Sequence, residues 1–380
     1  MAEKQILIVC GEASGDLNAA NLAREIRKLD PSITIKAVGG DLLRHAGAQI
    51  IYDIKGLAVF GFFDVLKKLP QFFTLKDFLL KKIKEDKPDA IVFVDFSGFN
   101  LRLAKAINNA IRTIYYISPQ VWASRSGRVK TIKRYISRMI VLFKFEEEFY
   151  KQHGIKVDFV GNALLDIVKP TADKLEFLRS YDLTHDKTTV ALLPGSRKSE
   201  IKNIFPVMLR AAQRISKEMK SVQFVVAKSP HVDWNIYTNA VKGSNLHIEI
   251  IEGKTYDCLN VADFALVASG TATLETAIMQ TPFAIVYKMN MLNYLLYRPQ
   301  VKVPFIGMVN IVAGRKIVPE FIQFQATPAK IAEYALKILK DASARAQMKS
   351  GLAEVKSLLG EKGASRRAAQ IIIDSLAQPS

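Results

Sequence analysis

Two runs of short apolar strands, each alternating with helical segments, constrain this chain more than any other feature. In the first run QILIVC (5–10) precedes LNAANLAREIRKL (17–29), whose apolar residues recur at helical spacing, and ITIKAVGG (33–40) follows. DAIVFVDF (89–96), RTIYYISP (112–119) and RMIVLF (138–143) come next, each after a helical segment. Strands this apolar are buried on both faces, and strands joined through helices pair in parallel. The series therefore predicts an α/β fold, a doubly wound parallel sheet with helices on both sides. A polar, helical stretch at 169–187 leads into a second run: TTVALLPGS (188–196), a long helix around 198–219, VQFVVAK (222–228), HIEIIEG (247–253), ADFALVASG (262–270), a helix from Thr271, and PFAIVYK (282–288). A length of 380 residues suits two such domains. They are placed at residues 1–168 and 186–344, with the final helical stretch, about 345–380, free to pack back on the first domain.

Composition narrows the class. Hydrophobic residues make up 49% and charged residues 24%, which fits a globular chain with a substantial core. The apolar run near Met1 is short and enters a glycine turn at once, so it reads as a first strand and not as a secretory leader. No window reaches the roughly 18–20 apolar residues that span a bilayer. Cys10 and Cys258 both sit in or beside apolar runs, as reduced core thiols of a cytosolic protein would. The five histidines are scattered with no i,i+4 pair, which argues against a zinc site. The net charge of +18 calls for an anionic partner: nucleic acid, an anionic membrane surface or a phosphorylated substrate.

Open α/β sheets bind ligands beyond the carboxyl ends of their strands, and two in tandem leave a cleft there. Four loops occupy such places. CGEASGD (10–16) offers Gly11 and Gly15 for close backbone approach, Ser14 and Asp16 as caps, and Glu12 as a carboxylate; it is either a ligand loop or a capped glycine turn. VDFSGFN (94–100) ends a strand on Asp95 and closes on Asn100, so Asp95 is a candidate general base or an N-cap. LLPGSRKSEI (192–201) brings the amides of Gly195 and Ser196 and the guanidinium fork of Arg197 to a helix start, a phosphate-binding combination. VASGTATLETA (267–277) crowds Ser269, Gly270, Thr271, Ala272 and Thr273 at another helix start, with Glu275 one turn in. That loop suits a diphosphate and a ribose, or is simply a well-capped helix with a surface Glu. It is neither a Walker A loop nor the dinucleotide glycine pattern.

One stretch sets aromatic residues beside positive charge. Between residues 56 and 85, Phe60, Phe62, Phe63, Phe72, Phe73 and Phe78 lie among Lys67, Lys68, Lys76, Lys81 and Lys82. A helix from about Gln71 places Phe72, Leu75, Leu79 and Ile83 on one stripe, leaving Phe73 and Leu80 to one side and Phe78 to the other. Either the core face is broad or the surplus meets a membrane or acyl chains. From Phe96 to Phe145 there is no acidic residue, while Arg102, Lys105, Arg112, Arg125, Arg128, Lys130, Lys133, Arg134, Arg138 and Lys144 lie in that span.

Taken in order, GEASGD, GFN after a strand-end Asp, YYISPQVWA, LLPGSR followed by Glu200, ASGTATLE and NIVAGRKIVPE resemble the lipid-A-disaccharide synthase family over about residues 6–325. Three positions depart from the family pattern: Ser97 stands where Pro is frequent, Gly161-Asn162-Ala163 where Gly-His-Pro is common, and Val309 where Pro usually precedes Asn310. The resemblance implies the two-domain GT-B glycosyltransferase fold with the nucleotide in the second domain. It implies transfer from UDP-2,3-diacylglucosamine to 2,3-diacylglucosamine 1-phosphate (lipid X), giving the β-1,6 disaccharide 1-phosphate and UDP at the cytoplasmic face of the inner membrane.

On that basis Asp95 is the first choice for the base, with Glu12 and Asp16 behind it. Gly195, Ser196, Arg197, Ser269–Thr273 and Glu275 are expected to hold UDP, with Asn310, Ala313, Gly314, Glu320 and Gln323 lining the donor site. Ser14, Gly15, Asn100, Phe62, Phe73, Phe78, Lys76, Arg125 and Arg128 are expected on the acceptor and lipid side. No paired carboxylate motif for Mg²⁺ is apparent, so no cofactor and no metal are expected. The basic charge is read as a peripheral contact with an anionic membrane and not as nucleic-acid binding; a homodimer is left open. The rival readings are another GT-B UDP-N-acetylglucosamine transferase or epimerase, and a non-catalytic protein binding anionic lipid or nucleic acid.

Overall fold

A computed structural model describes residues 4–55, 57, 62–124, 127–291, 294–295, 298–300 and 303–377. The chain forms two compact units, Met1–Ala163 with Gly360–Ser380, and Leu164–Leu359.

The first unit is built on seven parallel strands: β1 (Gln5–Val9), β2 (Thr34–Gly39), β3 (Gln49–Asp53), β4 (Ala90–Val94), β5 (Arg112–Tyr116), β6 (Arg138–Val141) and β7 (Val157–Phe159). Their order is β3-β2-β1-β4-β5-β6-β7, so the winding reverses between β1 and β4. Side chains alternate between the faces. Ile6, Ile8 and Cys10 point to one face, under helices Ala13–Leu29 and Ala364–Ala377; Leu7 and Val9 point to the other, with Leu75, Leu79 and Ile83. The terminal helix is also tied by polar contacts: Arg138 Nη1 donates to Ser375 Oγ at 2.9 Å and Arg367 Nη2 to the Val160 carbonyl at 2.7 Å.

The second unit repeats the plan with six parallel strands: β8 (Thr188–Leu193), β9 (Val222–Lys228), β10 (Ile248–Glu252), β11 (Phe264–Ala268), β12 (Phe283–Tyr287) and β13 (Glu320–Ile322). The order β10-β9-β8-β11-β12-β13 reverses between β8 and β11.

Several boundaries differ from the sequence expectation. The helix expected from Gln71 begins at Phe62 and runs to Asp86 through Pro70. A proline inside a helix forfeits one backbone bond and crowds the preceding turn, but burial of Leu75, Leu79 and Ile83 anchors this helix. The polar stretch at 169–187 is helical only over Lys174–Ser180, capped by the Asp173 carboxylate, which accepts from Leu175 N–H at 2.8 Å. Helix Ala342–Leu358 stays in the second unit, and the chain returns to the first at Gly360 and not near 345. Gly360 has φ 85, and a Cβ there would lie 3.1 Å from both the Gly161 Cα and the Phe159 ring, so only glycine fits the crossing. Among the described residues no helix is long and apolar enough to cross a membrane.

Candidate functional site

The point where strand order reverses leaves a crevice beyond the carboxyl ends. In the first unit it is flanked by the loops after β1 and β4. Asp95 and Phe96 both adopt left-handed backbone, with φ 51 and 46, an uncommon conformation for such residues. The turn is braced from three directions. Asp95 N–H donates to the Tyr116 carbonyl at 3.4 Å, while the Asp95 carbonyl accepts from the Tyr115 hydroxyl at 2.5 Å and from Asn100 Nδ2 at 2.9 Å. Burial raises the Asp95 carboxyl above its ordinary range, with the Phe96 N–H acting against it. The Phe96 ring lies over Gly11, where a Cβ would come within 2.4 Å of it, and Gly15 lets the first helix pass Cys10 Cβ and the Val94 carbonyl.

The neighbours expected to share this work divide. Glu12 is half-buried at the N-cap of helix Ala13–Leu29, and Ser14 is exposed in its first turn. Asp16, expected as a reserve base, is buried, and its carboxylate accepts from Gly40 N–H at 2.7 Å and Leu42 N–H at 3.1 Å. Asn100, expected on the acceptor side, ties two strand ends together. It is 0% exposed and its amide donates to the Val9 and Asp95 carbonyls, joining the ends of β1 and β4.

The aromatic and basic stretch also separates. Phe73 is 55% exposed, with the Lys76 ammonium 5.4 Å from its ring centroid. Phe78 faces inward instead, half-buried against the core with its ring 6.0 Å from that of Tyr52. Phe72 packs toward Phe96, centroids 5.8 Å apart, and connects this helix to the Asp95 turn. Arg128 Nη1 donates to Ser97 Oγ at 3.2 Å, in that same turn. Arg138 is ion-paired with Asp158 at 2.7 Å. The Phe62 side chain and Arg125 lie outside the described residues.

The second unit carries a pocket of about 300 Å³ at its own reversal, between the loops after β8 and β11. Gly195, Ser196 and Arg197 form one wall; Ser269, Gly270, Thr271, Ala272 and Glu275 form another. Gly195 has φ 118. The Glu200 carboxylate shapes the first wall, accepting from Ser196 N–H at 3.3 Å and Arg197 Nη1 at 3.0 Å. Burial alone pushes the Glu275 carboxyl up to about 7. Ser229, Pro230 and Thr255 also line the pocket. Sequence reasoning passed over these three, although they also follow strand ends, after β9 and β10.

Other residues expected at the donor site bond mainly to backbone. Thr273 is fully buried and its hydroxyl donates to the Gly270 carbonyl at 2.8 Å, so it fixes the loop. Ser269 Oγ donates to the Ile306 carbonyl at 3.2 Å. Asn310 is buried; its Nδ2 donates to the Val318 carbonyl and its Oδ1 accepts from Ile317 and Val318 N–H at 2.8 and 3.0 Å. Glu320 accepts from the Ile306 and Gly307 N–H groups, each at 2.9 Å. Gln323 pairs its amide with both backbone groups of Met289. Ala313 ends helix Met308–Ala313 and Gly314 caps it in left-handed backbone. None of Asn310, Ala313, Gly314, Glu320 and Gln323 lines the pocket. Among the described residues, no three His, Cys, Asp or Glu side chains gather as a metal site.

A guanidinium fork beside two glycine-bearing loops suits a diphosphate, and a desolvated carboxylate suits paired hydroxyls. A profile for the LpxB family, lipid-A-disaccharide synthetase, matches residues 6–373. The lipid-A-disaccharide synthase of Syntrophus aciditrophicus is 43% identical over 371 residues, 97% of each chain. That of Myxococcus xanthus is 38% identical, over 98% of this chain and 97% of the relative. Among solved structures, S. aureus MnaA with UDP aligns over 99% of both chains at 17% identity and TM-score 0.66. CalG4, the calicheamicin glycosyltransferase, aligns over 100% of both at 16% identity and TM-score 0.62. The structural likenesses establish the GT-B fold alone; the profile and the relatives' identity over nearly the whole length establish that the chain belongs to the lipid-A-disaccharide synthetase family.

Proposed function

We propose that this glycosyltransferase joins the diacylglucosaminyl group of UDP-2,3-diacylglucosamine to the 6-hydroxyl of 2,3-diacylglucosamine 1-phosphate, with inversion and release of UDP. Family membership makes the chain a lipid-A-disaccharide synthase acting on a UDP-sugar. The observation that carries the finer reading is the second-unit pocket at the β8–β11 reversal, lined by both Arg197 and Glu275.

In this reading the acceptor hydroxyl gives its proton to Asp95 as its oxygen bonds to the donor's anomeric carbon. The bond from that carbon to the UDP oxygen breaks in the same step, and its electron pair leaves with UDP. The raised carboxyl of Asp95 suits a base, because a carboxylate of higher pKa holds the proton it receives more firmly. Charge developing on the departing diphosphate meets Arg197 and the loop amides, and such preorganised stabilisation is worth several kcal/mol in general, about 3–4 for a single well-placed donor. Glu275 accepts from the ribose hydroxyls. No step in this scheme requires a metal.

Exposed Phe73 with Lys76 beside it supports a peripheral contact with an anionic membrane, on the cytoplasmic face of the inner membrane. An epimerase or a different UDP-sugar transferase would turn over soluble UDP-N-acetylglucosamine. This reading expects little turnover of that compound and full turnover of the diacylated donor; equal use of both would remove it.

A further inference from the structure

The segment after β5 is held more firmly than a connecting loop requires. Ile117, a β-branched residue, has φ 68, a backbone region that costs such a residue roughly 1–3 kcal/mol. Its N–H donates to the Ile140 carbonyl at 3.1 Å. Ser118 Oγ and the Tyr150 hydroxyl share a hydrogen bond of 2.7 Å. Trp122 then donates its indole N–H to Glu146 Oε1 at 3.2 Å, and the Phe145 ring stands edge-on to the indole with centroids 5.0 Å apart. Glu146 is only 2% exposed, and its second oxygen accepts the Phe143 N–H at 3.3 Å.

The same segment adjoins the Asp95 turn. Tyr115 and Tyr116, which immediately precede it, are the residues that hydrogen-bond the Asp95 backbone, and Arg128 beyond it reaches Ser97. Glu146 itself makes no contact with that turn. It acts on the segment through Trp122 and through Ser118, which also hydrogen-bonds its carboxylate.

Among the described residues no cation pairs with Glu146. Keeping a carboxylate in such a place costs desolvation, and burial pushes it up to about 7. For packing alone a well-fitted neutral residue would be as good or better. As the third residue of helix Lys144–Gln152, Glu146 caps that helix through the Phe143 N–H, and its other oxygen is turned to Trp122.

We propose that Glu146 is a positioning residue for the acceptor sugar: by holding Trp122 it fixes the 117–124 segment beside the Asp95 turn. The pair therefore governs acceptor binding and leaves donor binding alone. The proposal rests on the assignment of the acceptor and the base to the first unit.

The test is a double-substitution cycle with Glu146→Leu and Trp122→Phe, measuring KM separately for 2,3-diacylglucosamine 1-phosphate and for UDP-2,3-diacylglucosamine. Each single change is expected to raise the acceptor KM about tenfold, with the pair no worse than the Glu146 change alone, since both remove the Trp122–Glu146 bond. The donor KM should stay within about twofold. Additive effects, parallel movement of both KM values, or no change in either would overturn the proposal. The chain has two tryptophans, so Trp234→Phe leaves Trp122 as the sole indole emitter. In that protein, 2,3-diacylglucosamine 1-phosphate should shift the emission and UDP should not; absence of the first shift also overturns the proposal, even where the cycle variants fold poorly. Full turnover by Asp95→Asn would instead defeat the base assignment and leave the cycle to be judged separately.

Discussion

Asn310 and Glu320 are bonded to each other, Nδ2 to Oε1 at 2.9 Å, and together they hold the backbone of Ile306, Gly307, Ile317 and Val318. The Ile306 carbonyl in turn accepts from Ser269 on the pocket wall. Asn310→Ala should leave two buried N–H groups unpartnered and cost about 2–4 kcal/mol, read by chemical denaturation. UDP affinity should fall with it although Asn310 does not line the pocket. Unchanged stability would deny the network its structural weight.

Gly11 has a more local consequence. Gly11→Ala would drive a methyl group into the Phe96 ring, which would have to leave its present place and take the Asp95 turn with it. Misplacing a reacting group by an ångström can cost about 100-fold in rate. Turnover should fall by that order, while the dissociation constant for UDP, measured by calorimetry, stays the same.

Glu275 gives a pH prediction. Its carboxyl is raised from 4.5 to about 7 by burial, so the folded chain holds that proton more tightly than the unfolded chain does. The penalty for burying the charge is absent below the unfolded value and complete above about 7. Glu275→Gln should therefore stabilise the UDP-free protein by about 1–3 kcal/mol near pH 8 and hardly at all near pH 4. Ribose hydroxyls bind the ionised form better, so wild-type affinity for UDP should rise from about pH 6 to about pH 8 relative to the variant.

Arg197 is held toward the pocket by Glu200. Removing a charge-assisted contact to phosphate costs roughly 1.5–3 kcal/mol. Arg197→Ala should weaken UDP binding about 10–100-fold, and Arg197→Lys should recover only part of it because the fork is lost. Equal affinity in wild type and both variants would take the diphosphate out of this loop.

The sheets were legible in the sequence because parallel strands buried on both faces leave continuous apolar runs, and the loops that wall the β8–β11 pocket were legible because they are short and contiguous at the ends of such runs. The three-residue strands β7 and β13 leave no run long enough to read. Asp16, Asn100, Asn310, Glu320 and Gln323 show a different limit. Each spends its polar group on backbone, in the case of Asn100 on Val9, 91 residues away. Nothing local in a sequence separates an amide that meets a substrate from one that meets a distant carbonyl. Phe78 shows the same limit for apolar residues: helical spacing places it beside the stripe, and only the position of Tyr52 decides that it is covered.

The most direct measurement is release of UDP from UDP-2,3-diacylglucosamine by the purified protein in detergent with EDTA, with and without 2,3-diacylglucosamine 1-phosphate. A metal-independent transferase releases UDP only when the acceptor is present, and does so despite the chelator. Release without acceptor, release abolished by EDTA and restored by a divalent cation, or no release from folded protein would each contradict the mechanism set out here.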